Sequence, residues 1–183
     1  MRRAVFLDRD GVLNHAIVKD GRPYPPSGLH ELELLPGVIE ACRALKESGY
    51  VLIMVTNQPD VARGKQQRET VEMINAAILM QVPVDDTRVC YHDDDDSCAC
   101  RKPNPGLLLD AARDWNIDLK NSYMVGDRWK DIEAGRQAGC ITILLDHQYS
   151  ETMASIPNYT FRTLHEAATW ILLNPKVNEV SLQ

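Results

Sequence analysis

Ala4-Val5-Phe6-Leu7-Asp8-Arg9-Asp10-Gly11 sets four apolar residues directly against two carboxylates, an arginine and a glycine. An apolar run of this length without in-out alternation predicts a strand covered on both faces, as in the middle of a parallel sheet. The polar residues then fall at the strand's carboxyl end, where open α/β sheets collect ligands. Working outward, Val51-Leu52-Ile53-Met54-Val55, Tyr123-Met124-Val125 and Ile141-Thr142-Ile143-Leu144-Leu145 share the pattern, and a weaker strand is expected at 87–91. Between them, helical spacing of apolar residues covers 37–48, 67–80, 105–115, 130–138 and 164–173. Alternating strands and helices predict a doubly wound, Rossmann-like parallel sheet. One domain is expected over 1–173, with 21–28 a loop and 174–183 a frayed tail.

Composition narrows the classes of function. With 183 residues and 44% hydrophobic side chains the chain can bury one substantial core. A formal charge of −6 argues against a general nucleic-acid binder, which needs basic stripes to replace the counterions of phosphates. No apolar run approaches the roughly 18–20 residues of a membrane span, and the N-terminus is too brief for a secretory signal. A cytoplasmic monomer is expected, with neither nucleic acid nor membrane as partner.

Polar residues follow the other strands just as Asp8 and Asp10 follow the first. Thr56-Asn57-Gln58 succeeds the second, Gly126-Asp127-Arg128-Trp129-Lys130-Asp131 follows the strand near 124, and Arg101-Lys102-Pro103 precedes the helix near 105. The predicted topology brings all four segments to one edge of the sheet. A calcium loop is excluded for Asp8-x-Asp10-Gly11, because Val12 and Lys19 stand where oxygen ligands would be needed. His15, His30, His147 and His165 read as surface or loop residues.

Five cysteines make a disulfide framework improbable. Cys90-Tyr91-His92 followed by Cys98-Ala99-Cys100 instead offers three sulfurs and one imidazole, the donor set of a closed structural zinc site. Such a site would stiffen the loop that delivers Arg101 and Lys102. Cys42 and Cys140 read as small buried residues, and Asp93-Asp94-Asp95-Asp96 as a solvated loop.

The four segments, in order, resemble the haloacid-dehalogenase superfamily of phosphatases: Asp8-x-Asp10-Gly11, Thr56 after a hydrophobic strand, Lys102, and Gly126-Asp127-x-x-x-Asp131. The resemblance spans about residues 4–145 and implies a HAD-like fold, here without room for a separate cap domain. It implies that Asp8 attacks phosphorus to form an aspartyl-phosphate, and that Asp10 protonates the leaving alcohol and later activates water. Asp8, the backbone carbonyl of Asp10 and Asp127 would hold Mg²⁺, which offsets the repulsion between carboxylate and phosphate. Thr56 and the backbone N–H of Asn57 would hydrogen-bond the phosphate, and Lys102 would hold its charge and orient Asp8. Asp131 is either a second carboxylate near the metal or a partner for Lys102.

With the zinc loop, Thr56-Asn57-Gln58-x-x-x-Ala62-Arg63-Gly64 and Cys100-Arg101-Lys102-Pro103-x-Pro105-Gly106 narrow the resemblance to one branch. That branch holds the heptose 1,7-bisphosphate 7-phosphatases and the related histidinol-phosphatases. Gly126-Asp127-Arg128 and the short interval from His92 to Cys98 are closer to the second group, and the zinc loop is shorter than in the heptose enzymes that act on the β-anomer. Arg63, Lys65, Arg101, Lys102 and Arg128 are more cations than a monophosphate alone demands, so a sugar bisphosphate is expected, with a lean to the α-anomer. Gln58 and Arg128 join Asn57 as expected substrate contacts, and Arg63 or Arg101 would grip the second phosphate. The alternatives are a histidinol-phosphate phosphatase, a phosphotransferase, and a catalytically silent binding module on the same scaffold.

Overall fold

The computed structural model describes residues 1–174; of the expected tail, 175–183 lie outside the described residues. Strand β1 (Ala4–Leu7) has no exposed residue because it lies inside a six-stranded parallel sheet. Its neighbours are β4 (Val51–Asn57) and β6 (Tyr123–Gly126), and β5 (Asp86–Cys90), β7 (Ile141–Leu145) and β8 (Tyr159–Phe161) complete the order β5-β4-β1-β6-β7-β8. Chain order runs outward from β1 to β5, then crosses back and runs outward on the other side. Strand order therefore reverses at β1, and the carboxyl end beside this reversal is where such sheets form a crevice.

Burial on both faces follows from helices on both sides. Val5 and Leu7 pack with Leu45 of α1 (Val38–Glu47), Ile74 and Ile78 of α2 (Arg68–Leu79) and Ile171 of α5 (Leu164–Leu173). Ala4 and Phe6 point the other way, into a core with Leu108 and Ala111 of α3 (Gly106–Trp115) and Ala134 of α4 (Trp129–Ala138). Two cores share β1, so its alternate residues serve both. Cys42 and Cys140 are buried in these cores, where burial pushes each thiol up to about 12. No helix among the described residues is long and apolar enough to cross a membrane.

The sequence reading is corrected at two places. The stretch read as a loop at 21–28 begins inside an antiparallel ribbon of β2 (Ile17–Lys19) and β3 (Arg22–Tyr24). Asp20 and Gly21 form its two-residue turn, both at positive φ, the backbone that matches the twist of a hairpin. The sixth sheet strand, β8, is only three residues long and shows no extended apolar run.

Candidate active site

Asp8 leaves the end of β1 and is 8% exposed. Opposite it, Lys102 Nζ donates to Asp8 Oδ1 at 2.8 Å, Asp131 Oδ1 at 2.6 Å and the Val55 carbonyl at 2.8 Å. Three acceptors match three ammonium protons, so the lysine is fixed in one direction. Burial works against its charge, but Asp131 and Asp8 outweigh it and raise its pKa. Asn57 positions the lysine's backbone: its Nδ2 donates to the Lys102 carbonyl at 2.9 Å and its Oδ1 accepts from the Lys102 N–H at 3.1 Å. The Asn57 side chain thus works on the protein, not on a ligand.

Asp131 pairs with Lys102 and also lies beside the carboxylates of Asp8 and Asp127. Its second oxygen accepts the backbone N–H of Arg128 at 3.1 Å, closing the first turn of α4. Asp127 differs: neither of its buried carboxylate oxygens has a well-formed hydrogen bond, and Tyr149 is the donor near enough to offset part of the rise described next. Burial, then the charges of Asp8 and Asp131, hold its carboxyl well above the usual range. Burial likewise raises Asp8 to about 7 against the pull of Lys102, with Asp131 and Asp10 adding to the rise. Oxygens of Asp8, Asp127 and Asp131 lie within 4.8 Å of one another. Orphaned, mutually repelling carboxylate oxygens fit a hard divalent cation such as Mg²⁺. Gly11 makes the approach possible: at φ +82°, a Cβ there would lie 2.0 Å from Asp127 Oδ2.

Asp10 stands among donors. Its carboxylate accepts from Arg9 at 2.9 and 3.2 Å, from Asn14 Nδ2 at 3.0 Å and from Gln58 Nε2 at 2.9 Å. The same Gln58 amide reaches Thr56 Oγ1 at 3.0 Å. Gln58 is 1% exposed, so the expectation that it touches substrate is corrected: it orients Asp10 and Thr56. Arg9, completely buried and braced by Asn75 at 2.9 Å, had no role in the sequence reading. Its position beside Asp8 in the chain was visible, but nothing local announced that it would turn back on Asp10.

These groups floor an open cleft of about 500 Å³, lined by Asp8, Asp10, Thr56, Lys102 and Asp127 below. Arg22 and Tyr24 of the ribbon and the 59–65 loop wall it. Arg63 and Arg128 both face this cleft, but each is held by acids. Arg63 pairs with Asp93, through Nε at 2.8 Å and through its terminal nitrogen, and Arg128 pairs with Glu151 in the same double manner. Arg101 is not a cleft-lining residue; its Nε bonds Asp94 at 2.8 Å. As the structure stands, Asp94 occupies an arginine expected to meet the second phosphate. The 146–151 segment also escaped the sequence reading: His147 bonds the Gly11 carbonyl at 2.7 Å, and Tyr149 and Glu151 reach Asp127 and Arg128.

The zinc expectation meets a compact cluster. Cys90 ends β5, and its sulfur lies 3.6 Å from His92 Nδ1, 3.7 Å from Cys98 Sγ and 3.1 Å from Cys100 Sγ. Cys100 Sγ is 3.5 Å from Cys98 Sγ and 3.3 Å from His92 Nδ1. A tetrahedron with Zn–S bonds of about 2.3 Å has edges near 3.8 Å, so this donor set fits zinc. The loop is seated on α3: the Gly106 N–H bonds the Ala99 carbonyl at 3.0 Å, and a Cβ at 106 would lie 2.3 Å from that oxygen. The acidic run is solvated at Asp94–Asp96, as expected, but is folded into a short turn there, with Asp93 and Asp94 binding Arg63 and Asp94 also binding Arg101 and Lys130.

The fold and this carboxylate–lysine cluster define a family, and comparison with known proteins agrees. Residues 26–139 match the family model for haloacid dehalogenase-like hydrolases, and the chain belongs to that family. It is 38% identical over 156 residues to the D-glycero-beta-D-manno-heptose-1,7-bisphosphate 7-phosphatase of Yersinia pestis, covering 78% of this chain and 79% of that one. The enzyme of the same name from Vibrio cholerae is 39% identical over 158 residues, covering 78% and 80%. Among solved structures, the D,D-heptose 1,7-bisphosphate phosphatase of B. bronchiseptica, complexed with magnesium and phosphate, superposes with a TM-score of 0.80. It shares 30% identity and covers 95% of this chain and 99% of that one.

Proposed function

We propose that this protein is a magnesium-dependent phosphoric monoester hydrolase that removes the C7 phosphate of D-glycero-D-manno-heptose 1,7-bisphosphate, on the way to nucleotide-activated heptose. The observation that carries the chemistry is the buried Asp8–Lys102–Asp131 chain beside an Asp127 whose oxygens make no well-formed hydrogen bond. The substrate is carried by relatives of that activity across more than three quarters of the chain. We take it to act as a single-domain monomer in the cytoplasm, on a small phosphorylated sugar.

Asp8 attacks phosphorus in line with the departing C7 oxygen, forming a P–O bond to its carboxylate as the P–O bond to carbon 7 breaks. Lys102 holds Asp8 Oδ1 in place and faces the developing charge. Asp10, held by Arg9, Asn14 and Gln58, gives its proton to the leaving alkoxide. It takes a proton back from the water that then cleaves the aspartyl-phosphate, so phosphate leaves and both carboxyl groups return to their starting states. Thr56 donates its hydroxyl to a phosphoryl oxygen. Asp8, Asp127 and the Asp10 carbonyl would hold magnesium, which when bound supplies the positive charge that lets a carboxylate approach a phosphate. Cys90, His92, Cys98 and Cys100 would hold zinc, keeping the Arg101–Lys102 backbone in register with Asn57.

The anomer is the finer part of the reading. The relatives are named for the β-anomer. What supports the α-anomer here is the zinc loop, in which only five residues separate His92 from Cys98. Steady-state rates on both anomers and on histidinol phosphate test the assignment, with phosphate release followed for the wild type and Asp8→Asn. We expect kcat/KM highest for the α-bisphosphate and loss of at least 1,000-fold (about 4 kcal/mol of barrier) in the variant. Preference for histidinol phosphate, or full activity without Asp8, would overturn it.

A further inference from the structure

Three cations converge on one exposed carboxylate beside the cleft. Asp94 Oδ1 accepts from Arg101 Nε at 2.8 Å and from Lys130 Nζ at 3.3 Å, and Asp94 Oδ2 accepts from Arg63 at 3.2 Å. Arg63 has other anions, Asp93 and the more distant Asp60 at 3.5 Å, whereas Asp94 is the acid that the structure pairs with Arg101 and with Lys130. The Asp94 side chain is 58% exposed, so moving it into water costs little burial. Arg101, by contrast, is about nine-tenths buried, and its Nη1 is a buried donor with no partner. A buried guanidinium with an unused donor is short of acceptor oxygens. A phosphate has one oxygen more than a carboxylate and about twice its charge, and would meet the fork of Arg101 bidentately. Arg63 and Lys130 line the cleft itself.

We propose that Asp94 is an internal anion seated in the subsite for the substrate's second phosphate, held by Arg63, Arg101 and Lys130 until that phosphate displaces it. The proposal rests on the sugar-bisphosphate reading above and adds its specificity device. A monophosphate brings nothing to this subsite and leaves the carboxylate in place. A bisphosphate exchanges one anion for a stronger one, so Asp94 sets a threshold of charge that weaker anions in the cell do not cross. The acidic run of the zinc loop thereby acquires a role in recognition as well as in holding the loop.

The test is the ratio of kcat/KM for the heptose 1,7-bisphosphate to that for the heptose 7-phosphate, in the magnesium- and zinc-loaded enzyme. Asp94→Asn keeps the shape and removes the competing charge, so the ratio rises three- to tenfold, carried by a lower KM for the bisphosphate. Asp94→Glu restores the wild-type ratio. Lys130→Met moves it the other way, and this variant carries the test if zinc content or melting temperature shows Asp94→Asn to be misfolded. A ratio that is unchanged or falls in folded Asp94→Asn, or is unchanged in Lys130→Met, overturns the proposal. Failure of the substrate reading is distinguished by a second arm. Fructose 1,6-bisphosphate and fructose 6-phosphate are compared as inhibitors of aryl-phosphate hydrolysis, whichever natural substrate is turned over. Asp94→Asn tightens the bisphosphate at least threefold relative to the monophosphate; equal shifts overturn the internal-anion role even if heptose bisphosphates prove to be substrates.

Discussion

Asp127 shows how far one residue's setting departs from its type. A carboxylate normally gathers donors, yet this one is buried beside Asp8 with no well-formed hydrogen bond and Tyr149 as its nearby donor, and the two carboxylates repel. Both carboxyl groups are raised in the folded protein, so between about pH 4 and 7 the folded state binds more protons than the unfolded one. Stability contributed by these groups is therefore present at low pH and lost as pH rises through the folded value. Magnesium replaces those protons, so its stabilising effect should grow over the same window. Protein dialysed free of magnesium, with zinc retained, should gain more in melting temperature from 10 mM (roughly 10 times a millimolar Kd) Mg²⁺ at pH 8 than at pH 5. Equal gains at both pH values would show that the two carboxylates do not share the ion. Gly11 makes a second prediction at this scale. Gly11→Ala drives a methyl group into Asp127 Oδ2 at a backbone angle that alanine avoids. The chain should still fold, while magnesium affinity and kcat fall at least tenfold, as titration and phosphate release would record.

At the scale of elements, the site depends on one connection, the loop between β5 and α3. It delivers Lys102 to Asp8, and its own fixation comes from the Cys90–His92–Cys98–Cys100 cluster, the Gly106 contact and Asn57. Cys98→Ser should release one corner of that cluster. With roughly 2–4 °C per kcal/mol for a chain of this size, a loss of about 2 kcal/mol lowers the melting temperature by about 4–8 °C. The kcat should fall further than KM rises, because Lys102 loses register. Unchanged melting and activity would remove zinc from the account. This dependence was legible because ligand types at close spacing are a local signal, as were the apolar runs of β1, β4, β6 and β7. The positions of Asp8, Thr56 and Asp127 followed from strand ends, and that of Lys102 from the start of the helix α3. What escaped is non-local. That Gln58 turns inward to Asp10, that Arg9 folds back upon it, and that Asp94 meets Arg101 depend on packing between segments that no spacing rule links. The β2–β3 ribbon is the exception: Asp20-Gly21 between the three-residue segments Ile17–Lys19 and Arg22–Tyr24 is a local hairpin signal, set within a proline-rich stretch that also reads as a loop.

Over the whole molecule, the charge of −6 and the chemistry of the site pull in opposite directions. A phosphorylated substrate approaches a protein of like sign, yet the cleft presents Arg22, Lys65, Arg63, Arg128 and Lys130. Several of these are already matched by acids, Arg63 by Asp93, Arg128 by Glu151 and Lys130 by Asp94. Arg22 and Lys65, on the ribbon and the facing loop, have no ion pair among the described residues and supply the unmatched field at the entrance. Attraction by exposed cations weakens as the Debye length shrinks, from about 10 Å at 0.1 M salt to about 3 Å at 1 M. The bisphosphate carries more charge than the monophosphate, so its kcat/KM should fall more steeply with added sodium chloride, through KM and not through kcat. Arg22→Ala and Lys65→Ala should each flatten that slope, whereas a change at Lys46, paired with Asp85 beside the start of β4 at the opposite end of the sheet, should not. A salt dependence equal for the two substrates would mean that the matched cations, exchanging internal for external anions, govern binding alone. In that case the walls of the cleft would shape the substrate without attracting it.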